Sequence, residues 1–270
     1  MWQSLFLAFG LSMLIVGLAY WRRSLAPPGA AAALLVGTLT FGLGGWVWGV
    51  LLAIFFVSSS TLSHYKEEQK QQMAEEKFDK THRRDAGQVL ANGGAGMLLA
   101  TASFIWPSSL WFYLFVGVMA TVTADTWATE LGTLSRRPPR LITNGKQVEV
   151  GTSGGVSRLG TAVSFSGGLL IGLAAALLSP WQGFAPALAL IAAGAMGGLS
   201  GSLFDSLLGA TVQQIYYCPR CQKETEKIVH RCGQATTPLR GWRWLNNDWV
   251  NFTSSLVGGI VAGVIGWSIL

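Results

Sequence analysis

Apolar residues in this chain run in long blocks, not at the spacing of one buried helix face or of an alternating strand. Blocks near 2–21, 29–44, 46–63, 89–106, 111–131, 159–178, 185–209 and 252–270 are each predicted to form a helix. A helix needs about 20 apolar residues to cross a bilayer, and most of the blocks approach that length. The pattern predicts an all-α polytopic membrane protein with about seven to eight transmembrane helices in hairpins. The block 29–44 is the shortest, so tilt or partial re-entry is expected there.

The polar residues between the blocks are sorted by charge. All 19 Lys and Arg fall in 22–23, 64–84, 136–158 and 220–243; none falls in the turns near 45, 107–110 and 179–184 or at either terminus. Eight crossings put every basic connection on one side, which the positive-inside rule makes cytosolic, with both chain ends outside. Trp2, Trp21, Trp46, Trp106, Trp111, Trp181 and Trp267 stand near block ends, where an aromatic belt belongs. Composition agrees, with 50% hydrophobic and only 12% charged residues, about half the charged share of a soluble domain. The net charge of +6 is then a topology signal, and no nucleic-acid role is expected. No basic residue precedes the first apolar run, so 2–21 reads as a retained helix and not as a cleaved leader.

The chain therefore reads as a single membrane domain, 1–270, carrying three cytosolic loops. The first, 64–88, contains HYKEEQKQQMAEEKFDKTHRRD, whose acids and bases at spacings of three and four predict an exposed, salt-bridged helix. Lys66 lies one turn from the membrane end of its helix, within reach of a phosphate. The second, 132–158, is basic and glycine-rich. The third, 210–251, contains Cys218, Cys221, His230 and Cys232. A weak internal repeat also runs through the chain: the hairpins 29–63, 89–131 and 159–209 end in SSSTLSHYK, ADTWATELG and FDSLLGATVQ. Repeats related by an axis along the membrane normal would bring Asp125-Thr126 and Asp205-Ser206 into one site.

Chemistry concentrates where the second loop leaves the membrane. Helical stacking sets Asp125 with Thr121 and Thr129, and Glu130 with Thr126 and Thr133, in two adjacent polar stripes. Ser202, Asp205, Ser206 and Gly209 share a third face. An acid within a membrane segment costs roughly 2.5–3.5 kcal/mol on insertion scales, so it is retained for a reason. For these residues the plain alternatives are a helix-end acid paired with an arginine, or one hydrogen-bonded acid in a packing seam. Carboxylates at a membrane face suit a hard cation such as Mg²⁺. In LITNGKQVEVGTSGGVSR, Asn144-Gly145 marks a turn, and Gly151, Thr152, Ser153, Gly154 and Gly155 offer backbone N–H groups and hydroxyls to an anion. Taken alone this run is equally a plain hairpin; beside Lys146, Arg158 and the two acids, the anion reading is preferred. It is not a Walker A sequence. The helix that follows adds its N-terminal dipole.

Three further elements are less specific. Cys218-x2-Cys221 has zinc-knuckle spacing and His230-x-Cys232 does not, so the segment is either a small structural Zn²⁺ hairpin over 218–232 or three unligated thiols. Asp248 is either the cap of the last helix or, with Asn247 and Asn251, part of the same site. Asn92, in VLANGG, is a weaker member of that set.

Together the motifs ADTWATELG, PRLITNGKQVEVGTSGGVSRLG, GSLFDSLLGATVQ and NNDWVNFTSSL resemble an integral-membrane family catalogued as a domain of unknown function. Its characterised members are the phytyl-phosphate kinases of tocopherol and phylloquinone biosynthesis. The resemblance runs from the 29–63 hairpin to the C-terminus, with the motifs in the same order. It implies transfer of a γ-phosphoryl group from a nucleoside triphosphate, CTP by preference, to an isoprenoid monophosphate such as phytyl phosphate, giving the diphosphate. On this reading Asp125, Glu130 and Asp205 hold Mg²⁺, and Lys146 with Gly151–Arg158 binds the nucleotide phosphates. Lys66, Arg140 or Arg158 holds the lipid phosphate. The partners are then the lipid bilayer, an isoprenoid phosphate lipid and a nucleotide, and the expected location is a prokaryotic inner membrane or a thylakoid membrane. Two alternatives share these features: a membrane cytidylyltransferase acting on a lipid phosphate, and a transporter built on intramembrane acids and glycine-broken helices.

Overall fold

The computed structural model describes residues 2–65, Lys77, 83–179 and 183–269. Lys66, most of the charged segment expected as a helix between His64 and Asp85, and Trp181 lie outside the described residues. Eight long helices are present among the described residues: α1 (Trp2–Trp21), α2 (Pro27–Gly44), α3 (Trp46–His64), α4 (Ala86–Ile105), α5 (Leu110–Gly132), α6 (Arg158–Leu178), α7 (Phe184–Thr211) and α8 (Asn247–Trp267). All eight are long and apolar enough to cross a membrane. The chain is an all-α polytopic membrane protein.

Local signals explain where each helix starts. Pro27 and Pro28 open α2, where a missing N–H costs nothing. Asp85 caps α4 in a reciprocal box with Gln88: Asp85 Oδ1 accepts from the Gln88 N–H at 2.8 Å, and Gln88 Oε1 accepts from the Asp85 N–H at 3.1 Å. Ser157 caps α6 through the Gly160 N–H at 3.0 Å. The last helix begins at Asn247, five residues before the apolar block. Its cap is Asn246, which accepts from the Trp249 N–H at 3.2 Å. The capping alternative for Asp248 is thereby corrected: this residue sits in the first turn, where an acid favours the helix dipole.

The surface is the reverse of a soluble protein's. Phe6, Leu7, Leu14, Trp21, Leu177, Ile260 and Val264 are all well exposed, as residues facing lipid tails are. The interior lies between α5, α6, α7 and α8, which pack as one bundle with α5 at its centre. Small residues let these backbones meet: a Cβ on Gly168 would lie 2.6 Å from the Gly194 carbonyl oxygen, and one on Gly197 would lie 2.8 Å from that of Gly258. Around this bundle α4 bridges to α5 and α8, α2 lies along α4, and α1 lies along α2. The pairing differs from simple hairpins, since α2 packs more extensively on α4 than on its sequence neighbour α3.

The four long connections lie at one end. The first and second of these are joined by a bridge between Leu25 and Arg84: the Arg84 N–H donates to Ser24 O, and the Ala26 N–H donates to Arg84 O, both at 3.0 Å. Ser63, at the end of α3, donates to Glu130 near the end of α5 at 2.6 Å. The loop after α5 forms a two-stranded ladder, β1 (Arg140–Leu141) with β2 (Gly155–Val156), which rests on α7. The connection after α7 folds into a three-stranded antiparallel sheet, β3 (Ile215–Cys218), β4 (Lys223–Thr225) and β5 (Thr237–Arg240), in the order β4-β3-β5. This sheet reaches beyond the short 218–232 hairpin read from the cysteine spacing.

Candidate functional site

At the end carrying these connections the helices enclose a cavity of about 530 Å³. Ser63 from α3, Asp125 and Thr126 from α5, and Asp205 and Ser206 from α7 all line it. The ends of the three hairpins that carry the weak repeat therefore meet in one place. Asn92 from α4, Asp248 and Asn251 from α8, and residues 150–157 of the glycine-rich loop complete much of the wall.

Two acids form the centre. Asp125 accepts from Ser202 on α7 at 3.5 Å, and Asp205, one turn beyond Ser202, accepts from Ser254 on α8 at 3.0 Å. The two carboxyls lie close enough to repel one another. Glu130 lines the same cavity from another side. Five residues further along α5, or about 140° around the axis, it bonds Ser63 and lies beside Arg84. Of the three acids expected to hold one or two Mg²⁺, Asp125 and Asp205 lie close together, and Glu130 lines the same cavity from the α3–α4 side. Among the described residues, no group of three carboxylates clusters at metal-ligand spacing.

The glycine-rich loop is shaped by its contact with α7 as much as by its hydroxyls. Gly154 has φ +83°, and a Cβ there would lie 2.6 Å from Ala210 Cα. Its carbonyl accepts from the Ile142 N–H at 3.0 Å, and the Gly155 N–H closes a turn onto Thr152 O at 2.9 Å. Thr152 and Ser153 remain in the wall, beside the first turn of α6.

Among the described residues, the cations expected to hold phosphates are not in the wall. Arg140, Asn144, Lys146 and Arg158 are exposed, and none of them lines the cavity. Arg140 donates to Gly145 O at 2.8 Å, and Asn144 accepts from the Lys146 N–H at 3.0 Å, so these side chains stabilise their own turn. The basic residues that do line the cavity, among those described, are Arg84 and Arg243. Arg84 lies 5.5 Å from the ring centroids of both Phe55 and Phe56. Burial brings its pKa down to about 10, opposed by Glu130, so it stays charged at neutral pH. A third residue unmarked by the sequence is Glu226, just past β4. It accepts from Gln213 at 2.9 Å and from Ser153 at 3.4 Å, tying the sheet to the glycine-rich loop.

The sheet also gathers Cys218, Cys221, His230 and Cys232, with ligand atoms all within 4.8 Å of one another. Cys218 Sγ and Cys232 Sγ are 3.7 Å apart, and His230 Nδ1 is 3.3 Å from Cys232 Sγ. Tetrahedral zinc with bonds of about 2.3 Å to sulfur and 2.0–2.1 Å to nitrogen needs similar separations, so the donor set fits Zn²⁺. The hydrogen bond from His230 draws the Cys232 thiol down to about 6, and that with Cys232 pushes Cys221 up to about 11. Four protein ligands leave no open position, so an ion here is structural.

Comparison with known proteins places this chain in a wider group. Residues 10–259 match the family described as integral membrane protein DUF92. Protein PGR of Arabidopsis thaliana is 33% identical over 94% of this chain and 93% of its own. An uncharacterized membrane protein of Methanocaldococcus jannaschii, MJ0933, is 31% identical over 90% of this chain and 86% of its own. Protein VTE6, chloroplastic, of Arabidopsis thaliana is 29% identical over 97% of this chain and 71% of its own. No solved structure matches the chain. With a match across nearly its whole length and a relative of this similarity, the chain belongs to the DUF92 family of integral membrane proteins.

Proposed function

We propose that the protein is a membrane-embedded kinase that transfers a phosphoryl group from a nucleoside triphosphate, CTP by preference, to an isoprenoid monophosphate. The observation that carries the reading is the meeting of Asp125 and Asp205 with the hydroxyl- and N–H-rich loop 151–157 in one cavity. That cavity lies at the end of the bundle bearing the basic loops, the cytosolic end by the positive-inside rule. The resemblance to the phytyl-phosphate kinases supplies the substrate class.

In the reaction, a nonbridging oxygen of the lipid phosphate attacks the γ-phosphorus in line. The bond to the β–γ bridging oxygen breaks, and the nucleoside diphosphate leaves. The attacking oxygen is already anionic, so positioning and charge neutralisation matter more than a strong base. Asp125 and Asp205 are the residues that fit Mg²⁺, which when bound neutralises phosphate oxygens. Thr152, Ser153 and the first turn of α6 orient the nucleotide phosphates, with Arg243 at the mouth. Glu226 fixes the loop from behind. The expected location is a prokaryotic inner membrane or a thylakoid membrane, with both chain ends outside.

The test is turnover by detergent-purified protein with labelled CTP or ATP and a panel of prenyl monophosphates. Nucleoside diphosphate and prenyl diphosphate are the expected products. Pyrophosphate release would show a cytidylyltransferase instead, and nucleotide-independent flux in liposomes would show a transporter. Asp125→Asn should lower turnover about 10²–10³-fold, the scale of losing a preorganised electrostatic group, with unchanged yield and gel-filtration profile. Turnover equal to the parent's would refute the role of Asp125.

A further inference from the structure

A second cavity, of about 270 Å³, opens between α1, α2, α3 and α4. Its wall is apolar, built from side chains such as Leu11, Ile15, Val36, Phe41, Val50 and Phe55. Apart from Ser12, its polar lining comes from Arg84, Gln88 and Asn92, and these three residues also line the first cavity. The two spaces thus adjoin, and their shared boundary carries a cation. The apolar space extends as far as Gly49, near the start of α3. Along α3 its lining runs from Gly49 to Phe56, about 10 Å of helix, and along α2 from Ala33 to Phe41, about 12 Å.

Arg84 is built into this boundary. Its backbone is pinned on both sides to the first connection by the 3.0 Å bonds to Ser24 and Ala26, and its guanidinium lies over Phe55 and Phe56. Gly29 at the start of α2 admits the strap: a Cβ there would lie 3.0 Å from the Arg84 carbonyl carbon. With aromatic faces and Glu130 beside it, this guanidinium stands at the edge of an apolar space, where it can meet an oxyanion whose remainder is hydrocarbon.

We propose that the cavity between α1 and α4 seats the single hydrocarbon chain of the lipid monophosphate, and that Arg84 holds its phosphate at the entrance to the carboxylate-lined cavity. This rests on the kinase reading for the identity of the headgroup. The occupant is one unbranched or methyl-branched chain bearing a terminal phosphate. One narrow apolar space joined to one cation matches that amphiphile better than a two-chain phospholipid. The arrangement divides the substrate between two surroundings: the tail among α1–α4, the reacting end against α5, α7 and α8. Arg84 and Asn92, on the boundary, set where the chain stops.

The proposal is tested on the whole protein in detergent, first by binding alone. A geranylgeranyl monophosphate with a diazirine at the far end of its chain is photolysed with the protein, and the labelled peptides are mapped. Labels on the cavity faces of α1, α2 and α3 are expected, with competition by geranylgeranyl monophosphate and little by dipalmitoyl phosphatidic acid. Ala53→Phe, which fills the cavity wall, should reduce that labelling at least 10-fold. It should also raise the KM for geranylgeranyl monophosphate. Arg84→Gln should weaken binding of the monophosphate about 10-fold or more and leave binding of geranylgeraniol unaltered. Labels confined to the outer faces of α7 and α8, equal labelling in Ala53→Phe, or stronger competition by phosphatidic acid would each overturn it. Labelling inside the cavity without phosphoryl transfer under any nucleotide would retain the chain site and remove the kinase reading. Turnover with labels elsewhere would do the reverse.

Discussion

Gly154 illustrates how a residue chosen for packing can shape a site. Its positive φ and its contact with Ala210 leave no room for a side chain, and the next residues, Gly155 to Ser157, follow directly into the cavity wall. Gly154→Ala should therefore cost about 2–4 kcal/mol, combining the left-handed backbone with an overpacked contact. The measurement is the midpoint of thermal inactivation in detergent, and an unchanged midpoint would mean that the loop does not rest on α7. The same scale shows why the cations expected beside the glycine run do not line the cavity. Lys146, Arg140 and Arg158 are adjacent in sequence to the glycine run, but the ladder from β1 to β2 turns them outward. Arg84 and Arg243 come from other connections, and nothing in their local spacing marks them. Glu226 was equally hidden, since its partners Ser153 and Gln213 lie 73 and 13 residues away. Asp125 and Asp205 were legible because an acid inside an apolar block stands out by its cost.

Among the elements, the small sheet after α7 has the most direct link to the cavity. It carries the cysteine–histidine cluster near one end and Glu226 at the end of β4, so its folding and the position of Glu226 are coupled. Metal ligation supplies folding energy to small sheets of this kind. Zinc at about one ion per chain is expected by elemental analysis of the purified protein. After its removal, the thiols should react unequally with iodoacetamide at pH 7.5. Cys232, drawn down to about 6, is thiolate there and should be alkylated first; Cys221, raised to about 11, should lag. Equal rates would argue against the hydrogen-bond arrangement around His230. The sequence spacing pointed to the ligands, but the β3–β5 strands escaped notice because none is longer than four residues. The helices were easier. Their boundaries follow the apolar blocks to within a few residues, except at α8, whose first turn is the polar run Asn247–Asn251.

At the scale of the whole molecule, four connections joined at one end account for the sorted charges. Ties between Leu25 and Arg84, Ser63 and Glu130, and Ser153 and Glu226 require those loops to share a side of the bundle. The positive-inside rule then gives the orientation, which can be checked by impermeant thiol labelling of intact and permeabilised cells. Ser108→Cys, in the α4–α5 turn, should be labelled in intact cells, and Asn144→Cys only after permeabilisation. The opposite pattern would invert the protein and move the cavity to the other face.

The length of α7 has a consequence for biogenesis. Its 28 residues span about 42 Å, against about 30 Å of hydrocarbon. Counting from Phe184, Asp205 is reached after about 32 Å, so a segment that enters the hydrocarbon at Phe184 carries this acid near its far boundary and away from the bilayer midplane. The insertion cost of the acid is then smaller than at the midplane. A shorter α7, trimmed by one turn near Phe184, would pull the acid inward and make insertion itself the first step to fail.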